Sequence, residues 1–139
     1  MLPRMIRSLA FVAALLAALA VAAAPNDILG QWRGTSLCVD KEHHPACNDE
    51  VIVYDFTPSK THEGEVTLSA DKIVNGERVT MYVLDFHRNG DRWSAEFRNA
   101  RVHILWSYAV DGDSLTGTLC DFDDRTKLLR NVKARREKQ

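Results

Sequence analysis

Three turn dipeptides, Asn75-Gly76, Asn89-Gly90 and Asp111-Gly112, punctuate the chain at near-regular intervals, each between runs of β-branched and aromatic residues. Asn-Gly and Asp-Gly supply the positive φ angles of a tight hairpin turn, so consecutive strands are neighbours. The chain therefore reads as all-β, an antiparallel up-and-down meander. A meander of this length hides its edges best by closing into a barrel. Runs between the turn signals give about eight strands, at 28–38, 50–57, 65–74, 77–87, 92–98, 101–110, 114–122 and 126–135. No stretch carries useful helical periodicity, and no linker or repeat divides the chain.

The first 23 residues read differently. Arg4 and Arg7 form a basic start, Leu9 to Val21 is an apolar run, and Val21-Ala22-Ala23 offers small residues for cleavage. This is the pattern of a secretory signal peptide, with a cut expected after Ala22 or Ala23. The apolar run is shorter than the roughly 20 residues a membrane span needs. Residues 24–139 then make one barrel domain, periplasmic or extracellular. Taking Arg4 and Arg7 from the 18 basic residues leaves the 19 acidic ones in the majority by three. That balance argues against a nucleic-acid partner, and nothing argues for a membrane once the leader is gone. In an oxidising compartment Cys38 and Cys47, nine apart around a loop containing Pro45, are natural disulfide partners, and Cys120 is left over as a small buried hydrophobe.

Turn lengths also assign faces. Two-residue loops at Asn75-Gly76 and Asn99-Ala100 pair Leu68 with Val83, Ala70 with Met81 and Phe97 with Val102. A loop at Gly112-Asp113 pairs Val110 with Leu115. If Asn89-Gly90-Asp91 is a three-residue bulged turn, one continuous apolar face results. It runs from Val66, Leu68 and Ala70 through Val79, Met81, Val83, Asp85, Trp93, Ala95 and Phe97. It continues through Val102, Ile104, Trp106, Tyr108, Val110, Leu115, Gly117 and Leu119 to Asp121. Such a face points inward. Tyr82, Leu84 and Phe86 then form an outward row suited to a weak homodimer or another protein partner. A two-residue turn would instead put those three residues inside.

Ile28-Leu29-Gly30-Gln31-Trp32-Arg33-Gly34 resembles the Gly-x-Trp opening strand of the lipocalin and calycin superfamily, and the segments Trp106–Tyr108 and Leu115–Leu119 resemble a later hairpin of small bacterial lipocalin-like domains. The resemblance implies a lipocalin-like barrel in which Trp32 closes one end and an arginine of the last strand, Arg130 or Arg135, packs across it. The apolar inward face and the wide first loop in turn suggest a binding protein for a small apolar or amphipathic ligand. The pocket would lie under the Cys38–Cys47 loop, lined by Met81, Phe97, Val102, Ile104 and Leu119, with Asp121 as a polar contact at the rim. Leu29-Gly30-Gln31-Trp32 is also similar to the opening of periplasmic inhibitors of bacterial metalloproteases, small calycin barrels with one disulfide and an N-terminal trunk, here about Ala24 to Leu29.

Catalysis finds no support in the residue pattern. No serine has a histidine and an acid at a readable spacing. Of His43, His44, His62, His87 and His103 only the first two are close in sequence, and their third metal ligand would have to be Cys47. The sequence expects no enzyme, no cofactor and no metal.

Overall fold

The computed structural model describes residues 27–138. The expected leader at 1–23 lies outside these residues. Eight antiparallel strands close into a barrel in sequence order, with the first pairing the last: β1 (Gly30–Cys38), β2 (Glu50–Pro58), β3 (Val66–Val74), β4 (Glu77–Asn89), β5 (Arg92–Arg98), β6 (His103–Asp111), β7 (Ser114–Asp121) and β8 (Leu128–Arg136). This is the meander that the turn dipeptides require. Asn75 and Gly76 have φ of 52° and 81°, the two positive angles of a tight hairpin turn, and Gly112 has 57°.

Alternate turns lie at opposite ends. The 39–49 loop, the Asn75-Gly76 turn and the β5–β6 and β7–β8 loops define the disulfide end. Residues 27–29, the β2–β3 loop and the Gly90-Asp91 and Gly112-Asp113 turns define the tryptophan end. The lumen is filled at the tryptophan end and its centre by Trp32, Tyr54, Phe56, Leu68, Phe86, Tyr108 and Leu115, all at most 2% exposed. Phe56, Phe86 and Tyr108 pack as aromatic neighbours with ring centroids 5.3–6.0 Å apart. Gly117 makes this possible, because a Cβ there would sit 2.1 Å from the Tyr108 ring.

The face assignment on β4 is corrected. Asn89 pairs Arg92, so the turn is the two-residue Gly90-Asp91 and carries no bulge. The extra residue sits inside β4 instead: Ala70 faces Tyr82 and Asp71 faces Thr80, leaving Met81 unpaired. A bulge there reverses the side-chain alternation of the strand beyond it. Phe86 is fully buried, Tyr82 and Leu84 pack against the core, and Val83 is 58% exposed. The expected outward row of Tyr82, Leu84 and Phe86 therefore belongs to the interior, and Asp85 points outward to accept a bond from the Thr67 hydroxyl.

A second correction concerns the β5–β6 loop, which spans Asn99 to Val102. Phe97 pairs Ile104 and Trp93 pairs Tyr108, two residues from the expected register. The Asn99 side chain accepts from the Arg101 and Val102 amides and so stabilises the longer loop. A shift of two preserves the faces, which is why Ile104, Trp106 and Tyr108 still point inward.

Closure of the barrel floor is also reassigned within β8. Arg136 pairs Trp32, its guanidinium carbon 4.3 Å from the indole centroid. It also donates to the Leu29 and Asp27 carbonyls, both at 2.7 Å. Arg135 has outward parity and bonds Ser114 Oγ, while Arg130 lies at the opposite end. Outside, Gln31, Asp55, Arg78, Asp71 and Thr80 form a continuous polar network across β1 to β4.

Candidate functional site

The disulfide end is assembled by anchoring three loops. Cys38 and Cys47 are joined, as the spacing suggested. Asp49 accepts from the Cys38 amide and from Lys41 Nζ, and these contacts, the lysine bond foremost, hold its carboxyl below the ordinary value. Val39 donates to the Leu129 carbonyl and so fastens the loop to the end of β8. Arg130 completes the attachment: its guanidinium donates to Ser36 O and Oγ, to Asn48 O at 3.0 Å and to Glu50 Oε2 at 3.4 Å. A planar fork with several donors suits such a junction better than a lysine would.

Across the mouth, Asp121 Oδ1 accepts from the amides of Asp123 and Asp124 and shapes the β7–β8 loop. His103 stacks on Phe122 with centroids 4.0 Å apart, and its Nε2 meets Glu96 at 2.5 Å. These contacts hold the β5–β6 and β7–β8 loops side by side.

Two hollows open between the three loops. One, of about 460 Å³, is bordered mainly by polar groups, among them Arg98, Arg101, His103, Asp121 and Lys127. The other, of about 230 Å³, has an apolar wall of Val102, Ile104, Leu119 and Leu129, closed by Cys47 and Arg130. Both are lined by His44, Val102, Ile104 and Leu129, so they form one amphipathic mouth. Ile104, Leu119 and Arg130, which border the smaller hollow, carry inward parity.

Of the residues expected to bind ligand, Val102, Ile104, Leu119 and Asp121 are gathered here. Met81 and Phe97 line neither hollow: Met81 is the bulged residue of β4, and Phe97 is 38% exposed at the end of β5. The sequence reading missed His44, Arg101, Lys127 and Leu129. The loop residues among them carry no periodicity that could reveal them. Leu129 escaped because the β7–β8 pairing shifts at Leu119/Cys120, which leaves it between the partners Leu128 and Arg130.

Away from the mouth, His62 Nδ1 lies 3.5 Å from Glu65 and 3.7 Å from Asp85, the one grouping of potential metal ligands found among the described residues; all three are solvent-accessible. His43 bonds Asp40, and Cys120 is a buried free thiol whose pKa burial raises.

No family model matches the chain, and no curated protein or solved structure matches it. The closed eight-stranded meander is consistent with a lipocalin-like fold, and fold alone does not set function.

Proposed function

We propose that the protein is an exported binding module that holds a small amphipathic ligand at the disulfide-end mouth. The observation that carries this reading is the continuity of the two hollows, one charged at its border and one apolar. Ligand sites combine this kind of apolar wall with a few polar groups, in volumes of about 300–1,000 Å³. The 460 Å³ hollow falls in that range, while the 230 Å³ one admits only a short chain or a single ring. Export is supported by the leader-like first 23 residues and by the Cys38–Cys47 bond, a linkage that persists in oxidising compartments.

The inhibitor reading draws less support. Of the segment that would serve as its trunk, Asp27 and Leu29 are tied to Arg136, and the Ile28 carbonyl accepts from the Trp32 indole N–H. These residues belong to the barrel floor, which leaves 24–26 to reach a protease.

Titration with a neutral naphthylamine dye, followed by displacement with aromatic metabolites and fatty acids, tests the mouth. Wild type should bind the dye, and Ile104→Asp should weaken binding about tenfold or more while retaining its β-sheet spectrum. Silence across the panel, or equal binding by the variant, overturns the reading.

A further inference from the structure

At the tryptophan end, on the outside of the barrel, the fold brings a histidine against two carboxylates. His62 and Glu65 belong to the β2–β3 loop, and Asp85 comes from β4, opposite Thr67. His62 Nδ1 lies 3.5 Å from Glu65 Oε2 and 3.7 Å from Asp85 Oδ2, and one ligand atom from each residue falls within 4.8 Å of the others. A hydrogen bond to nitrogen spans about 2.7–3.2 Å, so both approaches are too long to be bonds in themselves. They come close instead to the spacing of ligands around a shared ion. Metal bonds of about 2.0–2.2 Å at tetrahedral angles set neighbouring ligand atoms about 3.3–3.6 Å apart.

The hydrogen bonds at this corner leave the convergence unexplained. Nδ1 makes one hydrogen bond, and the Thr61 hydroxyl, at 2.9 Å, already takes it. Neither carboxylate therefore gains a bond from the imidazole. Among the described residues no lysine or arginine forms a salt bridge with Glu65 or Asp85, and His62 is the partner of both. A dication placed between the three groups would meet one nitrogen and two negative charges.

The groups are also held in position. Ser59 Oγ accepts from the Thr61 and His62 amides, Ser59 donates its amide to the Glu65 carbonyl, and Glu65 donates its own to the His62 carbonyl. Gly64, with φ of 80°, makes the reversal between His62 and Glu65. Thr67 donates its hydroxyl to Asp85 Oδ1, so Oδ2 is the oxygen left on the side of His62. An outer hydrogen bond of this kind orients a carboxylate for a metal. One imidazole among the donors suits a borderline ion such as zinc, whereas calcium and magnesium take oxygen ligands.

We propose that His62, Glu65 and Asp85 bind one zinc ion at this outer corner, with a fourth position open to water, and that the ion ties the β2–β3 loop to β4. Zinc replaces the Thr61 hydroxyl at Nδ1, and that hydroxyl keeps its contact with Asp85 Oδ2. The site stands apart from the mouth and does not depend on what the mouth binds.

Calorimetry on the tag-free protein, first stripped of metal with a chelator, tests the site with zinc chloride and with calcium chloride. Wild type should bind one zinc per chain, about tenfold or more tighter than calcium, and zinc should raise its melting temperature. His62→Ala and Asp85→Asn should each weaken zinc binding about tenfold or more while keeping the β-sheet spectrum, since both side chains are exposed. His43→Ala removes another histidine that bonds an aspartate, and it should leave zinc affinity within about twofold of wild type. In the wild-type NMR spectrum, zinc should shift the imidazole signals of His62 and leave those of His43 in place. Absence of zinc binding overturns the proposal, as does calcium binding of equal strength. Zinc affinity that survives His62→Ala and Asp85→Asn also overturns it, and affinity lost in His43→Ala would place the ion in the 39–49 loop instead.

Discussion

Tyr54, Tyr82 and Tyr108 make a residue-scale prediction that needs no ligand. Burial, before any other cause, raises the Tyr54 pKa above the ordinary 10.0 and carries those of Tyr82 and Tyr108 well above it. A folded-state pKa raised above the unfolded one means that the neutral phenol is favoured in the barrel. The associated stability is complete below pH 10 and declines as pH rises beyond it. Because these are all the tyrosines in the chain, phenolate absorbance should stay flat through pH 10 and rise only together with loss of the β-sheet signal. A tyrosine that titrates near 10 in the folded protein would contradict its burial. Single residues are also where the sequence was hardest to read. Tyr108 was placed inside by alternation, but nothing local shows that Tyr54 and Tyr82 meet it, because convergence depends on three registers together. The floor arginine shows the same limit. Arg130, Arg135 and Arg136 are alike in sequence, and only the pairing of Trp32 with Arg136 selects among them.

At the scale of elements, β4 separates what turn chemistry reveals from what it conceals. Asn75-Gly76 and Gly112-Asp113 fixed their hairpins correctly because a two-residue turn with positive φ leaves no freedom of register. The bulge at Met81 has no such marker. A β-bulge needs no glycine or proline, and the flanking run from Val79 to Phe86 is apolar on both faces, so either parity looks buried. Packing decides the matter: Phe86 fits against Phe56 and Tyr108, whereas Val83 meets solvent. Phe86→Ala should cost about 3–5 kcal/mol in denaturant unfolding, and Val83→Ala should change stability by no more than about 0.5 kcal/mol. Reversed magnitudes would restore the parity expected from the sequence. The candidate site divides along the same line. Its strand-borne members, Ile104 and Leu119, were legible by alternation, whereas His44, Arg101 and Lys127 come from loops whose conformation is set by tertiary contacts.

Across the whole molecule, each end is secured by one arginine of β8 and one further device. At the tryptophan end, Arg136 lies over Trp32 and holds the Asp27 and Leu29 carbonyls, while Glu137 donates its amide to Gln31. Replacing Arg136 with Ala should cost about 2–4 kcal/mol through lost charged hydrogen bonds and stacking. It should also move Trp32 emission to the red as water reaches the indole. Arg136→Lys should restore little, since an ammonium cannot serve both carbonyls and the ring face. At the disulfide end, Arg130 reaches Ser36, Asn48 and Glu50, and the Cys38–Cys47 bond closes a short loop beside it. A closure of this length stabilises by about 2–3 kcal/mol in the chain-entropy model. The loop is also held independently by Asp49, Lys41 and Val39. Cys38→Ser/Cys47→Ser should therefore lower unfolding free energy by about that amount without opening the barrel. Its folded state should exchange amides faster between residues 39 and 49 and should bind the naphthylamine dye more weakly, because Cys47 and His44 border the apolar hollow. Lower stability with unchanged dye affinity would make the disulfide a staple of the fold alone and would place the ligand away from this loop.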